Sequence, residues 1–546
     1  MTPIVDDLAV LRGKLETALA DFQAGRIGES ARAYRAILDD IPDQPDALHM
    51  LGAIAQRMGK TELALQLFDE ALRAVPDFAQ AWSNRGILLR VLKRTDEALQ
   101  SGRRAIACDP RLADGWDITG LLLRERREYA AACEHHARAV ALNPDNSCFQ
   151  NNYAVALIAV GRIEDAYRAA YRSTMLDPSF AIAHLTLGNI LNEAGYPDRA
   201  AKHYRKAATL DPSFAEAVAS EGRALMVMGE LAPGWAKMEV RDYDKKRFAA
   251  LPRWQGEKIR HLLLYAEQGV GDVIHCLRYI PFIRDRVEIL SLQVPASLQA
   301  LVSAQIPDAT IITPQDPLPA ADAHGLLMSL PHFCGTVLDN IPASRRYIQA
   351  EESWRAPWRP RLAVLPKPHI GIVWMGNPLY SDDHKRSLTF GQVEPLLAAA
   401  RPHFVSMQKG STTATASRAG IFDADPWLDD FTATAGLIDE LDLIITVDTG
   451  VAHLAGAMGR PVWTMLPFTP DWRWMLGRDD SPWYPTMRLF RQKMPRDWPP
   501  VIARIATALQ SFVRGDRSVL APPLWDGHVL RQNPGAIQLP DIKPSS

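Results

Sequence analysis

Three stretches of the chain carry residue types and spacings that could do chemistry, and each follows a short apolar run. The first is Glu267-Gln268-Gly269-Val270-Gly271-Asp272-Val273-Ile274-His275. Gly269 and Gly271 suggest a dinucleotide fingerprint, but Ile274 stands where its third glycine belongs, which argues against NAD. What remains is a tight turn that sets Asp272 at the start of a helix. A carboxylate there either caps the helix and its dipole or faces a cleft.

The second stretch is Asn377-Pro378-Leu379-Tyr380-Ser381-Asp382-Asp383-His384-Lys385-Arg386-Ser387. Asp382 and Asp383 invite a metal, yet no further ligand spacing supports one, and a solvated loop is expected. Lys385 and Arg386 are paired cations able to neutralise a diphosphate. The third is Val447-Asp448-Thr449-Gly450-Val451-Ala452-His453. A strand running into Asp-Thr-Gly and a small-residue helix makes a phosphate cradle: the Thr449 and Gly450 amides and the helix dipole favour an anion. Asp-Thr-Gly also marks aspartic proteases, but those carry it twice in all-β barrels. Here it occurs once and opens a helix.

Lesser candidates lie close by. Gln408 and Lys409 follow a strand end. Trp463, Trp472, Trp474, Trp483 and Trp498 fall within one short segment; packing is expected of most, with Trp472 to Trp474 favoured for a ligand contact. Arg473 and Arg478 could bind phosphate or pair with Asp471, Asp479 or Asp480.

Such residues need strands to present them. HLLLYAE (261–267), VEILSLQV (287–294), ATIIT (309–313), HIGIVWMG (369–376), HFVSMQ (403–408), LIITVD (443–448) and PVWTML (461–466) read as buried strands alternating with helices. That grammar predicts parallel α/β sheets, with ligands at the strands' carboxyl ends. A Pro/Trp-rich stretch at 351–368 divides it into lobes at 258–350 and 369–513. A tail at 514–546, rich in proline, is expected to be extended or disordered.

The first 245 residues follow another rule. Pro42, Pro76, Pro110, Pro144, Pro178 and Pro212 recur every 34 residues, in phase with Gly52, Gly86, Gly120, Gly188 and Gly222 and with Ala64, Ala98, Ala132, Ala166 and Ala200. A small residue on one helix lets its partner approach, and the proline stops the second helix. About six helix pairs follow, with a degraded seventh (Phe214 to about Tyr243) as cap and a linker at 246–257. The adjacent His135 and His136 read as an exposed helix face rather than a metal site.

Composition sets the outer bounds. A net charge of −2 argues against nucleic acid as the main partner, and five cysteines without CxxC spacing read as reduced thiols. The N-terminus has no secretory h-region and no run approaches a membrane span, so a cytoplasmic protein is expected.

The repeats resemble tetratricopeptide (TPR) arrays. Of the asparagine ladder that lines the groove in O-GlcNAc transferases, the matching positions hold Met50, Asn84, Ile118, Asn152, Thr186 and Ser220. The segment from about Trp254 to Trp498 resembles bacterial GT-B glycosyltransferases of the heptosyltransferase group, especially those with N-terminal TPR repeats. AEQGVGDVIHCLRYIPF, GIVWMGNP, DDHKRSL, VSMQKG, LDLIITVDTGVAHLAGAMGRPVW and LPFTPDWRWMLGRDDSPWYPTMRLFRQ carry the likeness. The resemblance implies a TPR superhelix followed by an α/β GT-B module of two Rossmann-like lobes. It implies Asp272 and His275 as the catalytic residues, Asp272 being the base, in a Gly271-Asp272-x-x-His275 motif. It also implies donor binding by Gly271, Lys385, Arg386, Asp448, Thr449, Gly450 and His453, with no metal and no cofactor beyond a nucleotide-sugar co-substrate. The DWRWMLGRDDSPWYP block departs from true heptosyltransferases, so ADP-heptose is not implied. A protein acceptor in the TPR groove follows from the resemblance, flagellin being one example. The alternatives are a catalytically silent scaffold and an enzyme acting on glycans or lipid-linked sugars.

Overall fold

The computed structural model describes residues 3–241, 247–344, 346–380, 382–400, 403–410 and 420–540, with side chains from residue 8. Part of the expected linker, the end of the expected cap, Ser381 and the last six residues of the tail lie outside them. The chain divides into two compact units, one ending at Ile190 and one spanning Leu191–Gln538.

Helix pairs fill the N-terminal region from Pro3–Gln23 to Leu231–Met238. In the first unit the 34-residue columns become contacts. The second helices end at Asp40, Ala74, Cys108, Leu142 and Leu176, each two residues before a proline. Ala64, Ala98, Ala132 and Ala166 are fully buried. A Cβ on Gly52 would stand 2.6 Å from the Phe68 ring, and one on Gly120 2.8 Å from the His136 ring. These glycines are what let the helices of a pair touch. A further periodic contact has no counterpart in the sequence reading: Trp82, Trp116 and Gln150 each donate to the carbonyl of the proline six residues back, at 2.8, 3.0 and 2.9 Å.

The histidine pair departs from expectation. His136 is fully buried, and its Nδ1 lies 2.8 Å from Asp117 Oδ1. The ring fills the space that Gly120 leaves, so close packing rather than solvent claims it. The two remaining asparagines of the ladder positions are likewise satisfied within the array. Asn84 bonds His49 at 2.8 Å, and Asn152 donates to Asp117 at 3.0 Å.

The second unit holds two wholly parallel sheets. One orders β3 (Thr310–Ile312), β2 (Val287–Gln293), β1 (Ile259–Tyr265) and β4 (Ala323–Leu326). The other orders β10 (Met487–Arg491), β9 (Val462–Leu466), β8 (Leu443–Val447), β5 (Ile370–Val373), β6 (Phe404–Ser406) and β7 (Phe422–Asp423). All seven expected strands form; β4, β7 and β10 are additions to them. β5, β8 and β9 are buried along their whole length, which is why they read as unbroken apolar runs. The 351–368 stretch forms two short helices, Glu352–Arg355 and Trp358–Leu362. Residues 521–540 of the tail form neither helix nor strand and are tied down. The backbone N–H of Asn533 donates to Gly195 O at 2.8 Å, and its side-chain amide donates to Phe468 O at 2.7 Å.

Candidate functional site

The carboxyl ends of β1 and β8, one from each sheet, deliver the two main motifs to the same place. After β1 the chain turns into the helix Val270–Cys276; after β8 it turns into Gly450–Ala457. These helices pack so tightly that each needs a glycine. A Cβ on Gly271 would lie 2.6 Å from His453 Cδ2, and one on Gly450 would lie 2.8 Å from Val270 Cγ2. Gly271 and Gly450 therefore serve the joint between the helices, a reason that spacing alone did not reveal.

Asp272 does two things at once. One carboxylate oxygen accepts the Gly269 N–H at 2.9 Å, capping its own helix, and the other is paired with the Arg473 guanidinium. Burial raises its pKa above the usual carboxylate range, and Arg473 opposes that. Arg473 is itself buried and also holds Asp471 at 2.8 Å. The cation thus bridges the β1 motif to the loop after β9. The expected pairing with Asp471 thus forms, and Arg478 likewise pairs with Asp480 at 2.7 Å.

Asp448 closes the other side. Burial, then the neighbouring Asp471 charge, push its carboxyl up to about 6, against Trp474, Arg386 and Arg473. Its carbonyl accepts Arg386 Nη1 at 2.6 Å, and His453 Nε2 lies 3.7 Å from its Oδ1. Thr449 begins the helix without a side-chain cap, its hydroxyl being 3.1 Å from that of Thr446. The first amides of Gly450–Ala457 thus lack an internal acceptor.

The loop after β5 is more ordered than a solvated loop. Asp383 is buried, accepts Ser387 Oγ at 2.6 Å, and pairs with Arg386 at 3.0 Å. A Cβ on Gly376 would strike Asp383 and Arg386, so the glycine makes room for that pair. Lys385 is engaged as well: its Nζ holds Glu193 at 2.6 Å and Asp382 at 3.1 Å. Burial works against its charge, and the two carboxylates outweigh that and raise its pKa. Of the paired cations, Arg386 is the one that reaches the Asp448 turn.

Three further candidates are interior. Gln408 accepts the N–H groups of Trp374 and Met375 at 3.1 and 2.8 Å, fastening the end of β5. Trp472 is 4% exposed and meets Trp235 and His275 edge-on, so it is packing rather than a platform. His275 is fully buried and its Nδ1 lies 3.3 Å from Tyr484 Oη. Tyr484 also takes His453 Nδ1, at 2.9 Å. Nothing in the sequence singled out Tyr484 or the buried Arg278, which donates to Tyr347 Oη, His275 O and Trp483 O. Both belong to a buried network, and such a role has no spacing rule. Among the described residues no group of three or more His, Cys, Asp or Glu side chains could hold a metal ion.

Comparison with known proteins agrees with this division. Residues 49–113 and 164–215 match the tetratricopeptide repeat family, and residues 430–495 match glycosyltransferase family 9 (heptosyltransferase). The chain is thus a repeat protein with a glycosyltransferase family 9 match in its C-terminal region. In particular, it is similar to Protein FlbA of Caulobacter vibrioides, 27% identical over 447 residues, or 68% of this chain and 74% of FlbA. Among solved structures it is similar to YrrB, a TPR protein with an unusual peptide-binding site, at 20% identity over 34% of this chain and 97% of YrrB, TM-score 0.29. A thermophilic TPR protein of Thermus thermophilus is 18% identical over 33% of this chain and 98% of its own, TM-score 0.30. No helix of the described residues is long and apolar enough to cross a membrane.

Proposed function

We propose that this chain is a glycosyltransferase of the GT-B kind, moving a sugar from a nucleotide-sugar donor to a protein acceptor that the TPR array recruits. The observation that carries the proposal is the convergence of Asp272 with the Asp448–Gly450 turn where two parallel sheets meet. The family 9 match over 430–495 covers that turn and its helix.

In this reading the acceptor hydroxyl oxygen attacks the anomeric carbon as its proton passes to Asp272. The bond from that carbon to the diphosphate oxygen breaks, and negative charge grows on the leaving group. The uncapped amides of Gly450–Ala457 and the Arg386 guanidinium meet that charge. One displacement inverts the anomeric centre, and no metal is assigned. Lys385 acts through the loop it anchors. Flagellin is one acceptor to test, and the cytoplasm is the compartment in which a nucleotide-sugar donor would be met.

Supplied with a panel of nucleotide sugars and a cell extract as acceptor source, the full chain should release nucleoside diphosphate. Asp272→Asn should slow release by about 100-fold or more, the scale of a lost general base. Equal release by both proteins would refute the role of Asp272, and no release from any donor would refute glycosyl transfer.

A further inference from the structure

The loop after β9 carries Arg473 to Asp272, and the tail of the chain grips that loop at both ends. Ahead of Arg473, the Asn533 side-chain amide donates to Phe468 O at 2.7 Å. Beyond it, Leu530 lies so close on the Gly477 turn that a Cβ there would stand 2.2 Å from Leu530 Cδ1. The Arg478 guanidinium, next along, is 4.2 Å from the centre of the Trp525 ring. Local preference does not hold the loop in this path. Met475 takes φ +51° and ψ −171°, a region that favours glycine, and Gly477 follows at φ +67°. A residue with a side chain keeps such a conformation only where its surroundings dictate it. Arg491 of β10 fastens the middle of the loop, donating to Met475 O at 2.8 Å and to Arg478 O at 2.6 Å. The tail fastens the two ends. It is itself tied to the last repeats: the N–H groups of Asn533 and Ile537 donate to Gly195 O and Ala194 O at 2.8 and 2.9 Å, and Arg531 pairs with Glu230 at 2.9 Å.

We infer that the tail is a strap, and that its Leu530 and Asn533 are positioning residues that keep the Arg473 guanidinium on the Asp272 carboxylate. The inference rests on the glycosyl-transfer reading for what Asp272 does, and it gives a role to a segment which that reading leaves idle. Leu524, 99% exposed, marks a part of the tail that engages nothing with its side chain. Freed of the strap, the loop loses contacts that hold Met475 in its conformation, and Arg473 moves with it. The charges facing Asp272 set the direction of the effect. Arg473 favours the carboxylate; Asp471, on the same loop, opposes it with a smaller influence, and the Gly269 N–H favours it. Glu267 is the other buried carboxyl of the same turn. His453, packed on Gly271 from the helix after β8, is held well below the usual histidine range and stays neutral. Loosening Arg473 therefore leaves Asp272 harder to ionise.

The test compares the full-length wild type with Leu530→Ala, Asn533→Ala and a control, Leu524→Ala. Two quantities are read: amide hydrogen exchange, and the pH profile of nucleoside diphosphate release from nucleotide sugars with cell extract as acceptor source. The Arg473 and Trp474 amides bond to Asp471 at 3.1 and 3.0 Å, so they report on the loop. In Leu530→Ala and Asn533→Ala, peptides covering 471–478 should exchange about tenfold faster, while those covering β8 and β9 keep the wild-type rate. The acid limb of release should move up by about one pH unit in both, with rates converging on the alkaline side. Leu524→Ala should change neither. Unchanged exchange at 471–478, or an equal effect of Leu524→Ala, overturns the strap. Faster exchange with an unmoved acid limb overturns the positioning role. If one of the two variants does not fold, the other decides. A wild type that releases no nucleoside diphosphate from any donor overturns the glycosyl-transfer reading, and hydrogen exchange then decides the strap alone.

Discussion

At the residue scale, the site couples charges that burial disfavours. Asp448, pushed up to about 6, binds a proton more readily in the native state than in the unfolded chain. Stability is therefore lost as pH rises through the window from about 4 to about 6. Asp448→Asn should remove that loss, stabilising the protein by about 1–3 kcal/mol above pH 6 and flattening the pH dependence of urea unfolding below it. A variant less stable than wild type at pH 7 would contradict this. Gly271→Ala should act in the opposite sense. Its methyl would enter the buried face of the His453 ring, costing about 1–3 kcal/mol and weakening nucleoside diphosphate binding, measured by urea midpoint and calorimetry. The acids and cations of this site were legible because Asp, Lys and Arg after strand ends announce themselves. Their pairings were not, since Lys385 meets Glu193 and Arg473 meets Asp272 across 192 and 201 residues of sequence.

At the element scale, the repeats were legible because each column repeats one physical requirement. Small residues let helices touch, and prolines end them. The same logic concealed His136. A histidine beside another histidine looks solvated until one sees that Gly120 leaves the space it fills. Gly120→Ala should therefore lower the urea midpoint by about 1–3 kcal/mol of stability, read by far-ultraviolet circular dichroism of the full chain; an unchanged midpoint would show that His136 can move aside. The strands followed from apolar runs for the same reason, burial on both faces. The short β7 and the strand β10 escaped because two residues give no pattern, and MRLFR mixes arginines into its run.

At the scale of the whole molecule, the chain joins an array of a kind that binds partners to a module whose two sheets bring a carboxylate and an anion-ready helix start together. Residues 191–538 form one compact unit, so the last repeat helices belong with the sheets. Lys385 is tied to Glu193, and Asn533 to Gly195 and Phe468. These ties fix the loop after β5, and with it Arg386, to the final repeats. The central claim is that partners of the array are glycosylated by the module. It is tested most directly by intact-mass spectrometry of proteins that co-purify with the full chain, comparing cells expressing wild type with cells expressing Asp272→Asn. A partner heavier by discrete sugar-sized increments only with the wild type is the predicted result. Identical partner masses in both strains would contradict protein glycosylation.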